Sequence, residues 1–334
     1  MSARRLLVLF GFPGRGGFNE AALQGAERAA RAGHALHAEW VAATDPDARA
    51  ERLAQLCNGN PDLVIVHGGQ GDAPVAEVAQ HYPRTQFAIT QGSHTAANVA
   101  SYEILQEHSA FLAGILAGLR TGDDRAAAGR LRDGCPADRC SAVGRPAADR
   151  PADGRPAHLS GERVRPGLKG RAAFADGVRR ITGRDPLTGF CGNQHDPDLG
   201  EAWTRALAAQ NARVLFAMMD GGRDGVTRAC REAGIWQIGN VLDWVARDPE
   251  VYLASALADS GLCVERAAAD HAAGALAVGR IMRFGLEAEA SLRLVLGAQV
   301  SAQERRELDE WSERLASGTI EIAGGYDGEE FVLT

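Results

Sequence analysis

The feature that most constrains this chain is a regular alternation of short apolar runs with segments of helical pattern. Residues 6–10 and 63–66 are continuous apolar runs that lead into glycine-rich loops, as strands buried on both faces of a sheet do. After the first loop, alanines recur at helical spacing until Gly33. Strands that alternate with helices at these lengths are joined by right-handed crossovers, which produce a parallel sheet covered on both faces.

The alternation returns in the second half of the chain, so the sequence predicts two doubly wound α/β lobes with a ligand cleft between them. A length of 334 residues fits two domains of the commonest size. The predicted strands are residues 6–10, 35–41, 63–66, 86–90, 187–191, 214–219, 235–238 and 319–323, with a turn at 239–240. The predicted helices are residues 19–32, 47–57, 73–81, 110–119, 166–181, 198–210, 225–233 and 303–316. The N-terminal lobe is assigned residues 1–120 and about 245–288, and the C-terminal lobe residues 158–244 and about 289–334.

Residues 121–157 interrupt this pattern. They consist almost entirely of Arg, Ala, Asp, Gly and Pro, and Leu131 and Val143 are the only aliphatic residues larger than alanine. Such a segment cannot bury enough apolar surface to offset the entropy lost on ordering, so we expect it to be irregular or disordered. A natural insert and a local frameshift in a GC-rich gene would both produce this composition.

The composition argues against several classes of protein. A formal net charge of −7 disfavours nucleic acid as a partner, because binding it usually requires a basic surface. The six cysteines lack CxxC spacing and the nine histidines lack clustered ligand spacing, so we expect no metal site and no cofactor. The apolar stretches fall far short of the roughly 20 residues that span a bilayer, which predicts no transmembrane segment. Without a GxSxG elbow or a visible acid/base pair, the chain is not expected to be an enzyme.

The loops after the strands are the expected place for a ligand, because open parallel sheets bind ligands outside the carboxyl ends of their strands. The glycines of loop 11–19 match neither GxGxxG nor a P-loop, which favours a flexible turn over a phosphate site. The candidate ligand-binding residues are Phe12, Phe18, Asn19, Gln70, Gln91, Asp220, Asn240, Asp243 and Trp244.

Two pairs among these candidates have a recognisable chemistry. Phe18 could stack on a planar heterocycle while the Asn19 amide hydrogen-bonds its edge. The alternative is that Phe18 packs as a helix staple and Asn19 caps the helix. Asp243 and Trp244 could grip a sugar or a base on one short loop, although aspartates at such positions are also typical of turns and helix caps.

Seven segments, taken together, resemble the basic membrane protein (BMP) family of ABC-transporter substrate-binding proteins, which includes purine nucleoside receptors. They are GFNEAA at 17–22, PDLVIV at 61–66, YPRTQFAI at 82–89, NVASY at 98–102, SAFLAGILAG at 109–118, GIWQIG at 234–239 and SGTIEI at 317–322. The resemblance covers nearly the whole chain apart from residues 121–157. It implies a type I periplasmic-binding fold, an ABC-importer permease as partner, and purine nucleosides or related solutes as ligands.

The resemblance also carries expectations for single residues. Phe18 and Asn19 match the family's Phe-Asn pair that holds the base. The family's charged groups that hold the ribose in nucleoside-binding relatives fall at uncharged positions here: Gln91, Asn240 or Val241, and Ala258. We therefore expect a smaller or less polar ligand, such as a free nucleobase.

The leading interpretation is a solute-binding protein that closes on a small molecule. A cytoplasmic purine-handling enzyme and a ligand-sensing regulator are the alternatives on the same fold. The first strand follows Arg4 and Arg5 directly, without the features of a secretory signal, so the chain as written is expected in the cytoplasm. A start further upstream would make the protein periplasmic or, as a lipoprotein, attached to the plasma membrane.

Overall fold

The computed structural model describes residues 4–11, 13, 17–121 and 154–333. These residues form two compact units, each with its own sheet. The first unit comprises the described residues up to Gln106 together with Leu257–Arg293, and the second those of Glu107–Ala256 and Leu294–Thr334. The predicted lobe boundaries near residues 120 and 245 differ from this division, because the helix after residue 106 and the strand after residue 251 pack within the second unit.

The elements are numbered in chain order. The described strands are β1 (Arg5–Phe10), β2 (His37–Val41), β3 (Leu63–His67), β4 (Gln86–Thr90), β5 (Val99–Ile104), β6 (Arg155–Ser160), β7 (Leu187–Phe190), β8 (Ala212–Met218), β9 (Trp236–Val241), β10 (Tyr252–Ala258), β11 (Ile281–Phe284) and β12 (Leu292–Leu296). The described helices are α1 (Gly17–Arg31), α2 (Pro46–Cys57), α3 (Asp72–Ala79), α4 (Gln106–Thr121), α5 (Arg165–Thr182), α6 (Pro197–Ala209), α7 (Arg223–Ala233), α8 (Gly261–Ala272) and α9 (Ala302–Ala316).

Each unit contains a six-stranded sheet. The strand orders are β11-β5-β4-β3-β1-β2 and β12-β10-β9-β8-β6-β7. The pairs around β1 and β3 in the first sheet, and around β6 and β8 in the second, are parallel. In the first sheet the chain passes from β1 to β2 on one side of β1 and then to β3 on the other side. In the second sheet β6, β7 and β8 follow the same order. This arrangement confirms the predicted fold class of two doubly wound, parallel α/β sheets.

The core of the first unit follows the two-residue period of its strands. Leu7 and Leu9 pack in the cluster that contains residues of α1 and α8, whereas Leu6 and Val8 pack in the cluster that contains residues of α2 and α3. Helices α1 and α8 approach so closely that a Cβ on Gly25 would lie 2.2 Å from the Gly261 carbonyl oxygen. Both faces of the first sheet are therefore covered by helices, as the continuous apolar strands require.

Several predicted elements are corrected by the structure. Residues 155–157, assigned to the irregular segment, begin β6, while residues 122–153 of that segment lie outside the described residues. The turn predicted at 239–240 is wrong, because β9 continues to Val241. The predicted strand at 319–323 is absent, because its backbone is used elsewhere: the Glu321 carbonyl accepts from Arg180 and the Ala323 N–H donates to Asp176. Strands β5, β6, β10, β11 and β12 and helix α8 were not predicted.

Candidate ligand-binding site

The switch point of the first sheet lies between β1 and β3, whose following connections lead to helices on opposite faces. Phe18 is in the first turn of α1, after β1, and His67 is the last residue of β3. Their rings are stacked, with centroids 4.0 Å apart and an angle of 29° between the planes. The structure thus places a predicted site residue at the position where doubly wound sheets bind their ligands.

Asn19 lies beside this pair and has an unused acceptor. Its Nδ2 donates to the Phe10 carbonyl at 3.4 Å, which fixes the orientation of the amide because a carbonyl can only accept. The Oδ1 atom then faces away from Phe10, is buried, and has no hydrogen-bond partner among the described residues. A buried amide oxygen without a donor is costly, and a ligand N–H is one way to satisfy it.

The other candidates of the first unit take different roles. Phe12 lies outside the described residues. Gln70 is exposed in a 3₁₀ turn, Gly69–Gly71, which lies against Gln91: a Cβ on Gly69 would be 2.9 Å from the Gln91 carbonyl oxygen. The strand ends after β3 and β4 therefore do meet, as the sheet order requires.

The Gln91 side chain is engaged within the protein. Its Oε1 accepts from the Ile104 N–H at 2.6 Å, and its Nε2 donates to the Ile104 carbonyl at 3.2 Å. The residue is buried and has a φ of 58°, a left-handed conformation that is uncommon for residues other than glycine. Both polar ends of the amide therefore extend the pairing between β4 and β5.

In the second unit, Asn240 and Trp244 surround a buried arginine that was not predicted. Arg223, at the start of α7, donates to the Asn240 Oδ1 and to the Met219 carbonyl. Its guanidinium carbon lies 4.2 Å from the centre of the Trp244 ring, and the Trp244 Nε1 donates to the Asn240 carbonyl at 2.8 Å. Burial lowers the pKa of Arg223 from its ordinary value.

The two candidate aspartates of the second unit lie in loops. Asp243 Oδ1 accepts from the Ala246 N–H at 3.1 Å and from the Ser255 hydroxyl at 3.4 Å. The Asp220 N–H donates to the Gln194 carbonyl at 3.0 Å, and its own carbonyl accepts from the Arg223 N–H at 3.1 Å. The Asp243 contacts are typical of a turn residue, and the Asp220 backbone forms part of the turn before α7.

Within the described ranges, no group of three or more His, Cys, Asp or Glu side chains is arranged to hold a metal ion. None of the helices described there has the combination of length and apolar character needed to cross a membrane.

Residues 11–324 match the family model described as ABC transporter substrate-binding protein PnrA-like, or Bmp. The chain belongs to the Bmp family. This match confirms the family resemblance stated from the sequence. No curated protein matches the sequence.

Solved structures share the fold over nearly the whole chain. A solute-binding protein of an ABC transporter system from Aeropyrum pernix K1 has a TM-score of 0.77 at 21% identity, covering 97% of this chain and 94% of that chain. A similar solute-binding protein from Conexibacter woesei DSM 14684 has a TM-score of 0.68 at 20% identity, covering 97% and 100%. A transcriptional activator of the comK gene from Bacillus halodurans has a TM-score of 0.72 at 15% identity, covering 94% and 98%. At these identities the similarity concerns the fold, which is of the type I periplasmic-binding class.

Membership of the Bmp family makes this protein the substrate-binding component of an ABC transporter, with a small-molecule ligand and a transporter as its partner. The predicted receptor class is therefore confirmed, and the enzyme alternative is not supported by the family. The identity of the solute depends on the side chains at the strand ends.

Proposed function

We propose that this Bmp protein binds a small planar heteroaromatic solute, and that a free purine nucleobase is preferred over its nucleoside. The observation that carries the proposal is the buried, unused Oδ1 of Asn19, the residue that follows Phe18 in the first turn of α1. A flat ring offers a face to Phe18, and a nucleobase also carries N–H donors at its edge. One ligand could then satisfy both groups.

The preference for the base over the nucleoside rests on the side chains at the positions that would hold a ribose. A ribose needs polar side chains for its hydroxyls, and the family resemblance locates them at Gln91, at Asn240 or Val241, and near Ala258. Gln91 is bonded to Ile104 through both ends of its amide, and the Asn240 Oδ1 accepts from Arg223. Ala258 is buried and apolar. At Gln91 and Ala258 of the first unit, a sugar would therefore lose hydrogen bonds to water without regaining them from the side chains.

The proposed setting is that of an importer. The solute is handed to the permease of an ABC transporter, which favours an extracytoplasmic location for the receptor. This location differs from the cytoplasmic one expected from the sequence as written.

Isothermal titration calorimetry on the full chain tests the proposal, with adenine, guanine, adenosine and guanosine as ligands. The bases should bind more tightly than their nucleosides. Asn19→Ala should weaken binding of the preferred base about tenfold, the loss expected for one hydrogen bond. Gln24→Ala is the matched control, because Gln24 is an amide on the same helix whose Nε2 donates to the neighbouring Glu20 side chain. Tighter binding of either nucleoside, or equal binding by the Asn19→Ala variant, would contradict the proposal.

A further inference from the structure

His67 was not among the predicted site residues, but it contacts the proposed site through both ring nitrogens. Its Nδ1 lies 2.7 Å from the Thr90 Oγ1, and its Nε2 lies 3.1 Å from the Phe18 carbonyl oxygen. The side chain is fully buried at the carboxyl end of β3. The imidazole therefore links β4, through Thr90, to the first turn of α1.

The partners determine where the proton of the ring resides. The Phe18 carbonyl can only accept, so Nε2 must carry the hydrogen. In the neutral ring Nδ1 is then an acceptor, and the Thr90 hydroxyl must donate to it. The Gly68 N–H donates to the Thr90 carbonyl at 3.0 Å and also lies 3.4 Å from the Thr90 hydroxyl oxygen. The result is a directed pair of hydrogen bonds, from Thr90 to His67 and from His67 to Phe18.

The same contacts restrict the Phe18 ring. The imidazole covers one face of the ring at 4.0 Å, so a ligand can stack only on the opposite face. The hydrogen bond to the Phe18 carbonyl holds the backbone from which that ring projects. A side chain fixed before binding loses less conformational freedom when the ligand arrives.

We propose that His67, as the neutral Nε2-protonated tautomer, is the positioning residue that orients Phe18 for stacking on the ligand ring. This inference rests on the proposed function, and it deepens that function by assigning a role to a residue which touches Phe18 and not the solute. Thr90 contributes to the same positioning, because its hydroxyl donates to His67 Nδ1 and so favours the tautomer that carries the hydrogen on Nε2.

The neutral state agrees with the surroundings of the ring. Burial lowers the pKa of His67 to about 3, and the hydrogen bond to the Phe18 carbonyl opposes this shift only partly. Neutrality is therefore maintained across the range from pH 5 to 8. The groups that face the imidazole, namely the Phe18 ring and carbonyl and the Thr90 hydroxyl, carry no charge.

The first test is nitrogen-15 NMR of the full chain without ligand. The His67 ring should show a protonated Nε2 and an unprotonated Nδ1, with no titration between pH 5 and 8. The Phe18 ring protons should show the ring-current shift of a stacked imidazole, and Thr90→Val should reduce that shift. A protonated Nδ1, or a Phe18 signal unchanged by Thr90→Val, overturns the inference whether or not any solute binds.

The second test measures adenine and guanine binding by calorimetry. Thr90→Val should weaken the binding about five- to tenfold, as the loss of one orienting hydrogen bond would. Thr188→Val is the matched control: Thr188 lies 3.0 Å from His158 Nδ1 in the second unit, so the variant removes a similar contact away from Phe18. His67→Gln keeps an amide donor near the Phe18 carbonyl and should bind better than His67→Phe, which keeps only a ring. Equal binding by the Thr90→Val variant and the wild type overturns the inference, whereas a wild type that binds neither base overturns the proposed function.

Discussion

Gln91 pairs with Ile104 as a strand backbone would: its amide oxygen accepts from the Ile104 N–H at 2.6 Å and its amide nitrogen donates to the Ile104 carbonyl at 3.2 Å. The side chain thereby satisfies two backbone groups next to the proposed ligand site. We therefore expect the Gln91 side chain to contribute mainly to the stability of the fold, because both ends of its amide are already hydrogen-bonded and are not available to a ligand.

The first prediction concerns this pair. Gln91→Ala removes the hydrogen bonds that the side chain makes to both polar groups of Ile104, so it should lower the free energy of unfolding by about 2 kcal/mol, as measured by urea denaturation. Gln70→Ala is the control, since Gln70 is exposed in the neighbouring turn, and it should stay within about 0.5 kcal/mol of the wild type. If Gln91→Ala retained full stability but lost ligand binding, the side chain would be a ligand contact instead.

The second prediction concerns the buried arginine of the second unit. Arg223 donates to three acceptors, in Ala217, Met219 and Asn240, and its guanidinium carbon lies 4.2 Å from the centre of the Trp244 ring, an arrangement that suits a planar guanidinium. Arg223→Lys should therefore destabilise the second unit by about 2 kcal/mol and shift the Trp244 indole signal in NMR spectra.

Arg247→Lys provides the comparison for that variant. Arg247 also lies over the Trp244 ring, at 4.7 Å, but it is exposed, so its replacement should have little effect on stability. Equal effects of the two variants would show that the buried hydrogen bonds of Arg223 are not what holds the loop.

Much of the fold could be predicted from the sequence because the central strands are continuous apolar runs. Residues 86–90 were predicted with the bounds that the structure gives to β4. Strand β5 was missed because polar residues interrupt it, and their partners lie elsewhere: Ser101 donates to the His94 carbonyl and Glu103 pairs with Arg283. Strands β11 and β12 were missed although their sequences, IMRF and LRLVL, are mostly apolar, because each is short and is interrupted by an arginine.

The site was harder to predict, because several of its side chains are held by residues that are distant in the sequence. The sequence indicated Phe18 and Asn19 from their chemistry, and the structure places them at the switch point of the first sheet. The sequence could not indicate that Ile104 donates to the Gln91 amide and Arg223 to the Asn240 amide. These hydrogen bonds join residues that only folding brings together. Close packing is equally hidden: a Cβ on Gly225 would lie 1.7 Å from the Pro197 carbonyl oxygen.

The last prediction concerns residues 324–333, which pack against β7, an edge strand of the second sheet. The Phe331 N–H donates to the Thr188 carbonyl at 2.7 Å, and the Phe331 ring meets Trp203 edge-on at 5.8 Å. Glu330 bridges Arg163 and Arg171. Hydrogen bonds from Arg163 and then Arg171 lower the pKa of Glu330 to about 2, although its partial burial acts in the opposite direction.

The sign of the pH dependence follows from this lowered pKa. The stabilisation from Glu330 is fully present above the ordinary glutamate pKa of about 4.3 and is lost as the pH falls through about 2. The Trp203 indole signal should therefore change progressively over this acid range as Phe331 separates from it. Glu330→Gln removes the charge at every pH, so it should show the separated signal already at neutral pH. Glu329→Gln, an exposed neighbour outside the bridge, should behave as the wild type; an acid transition that persists in Glu330→Gln would assign the effect to another carboxylate.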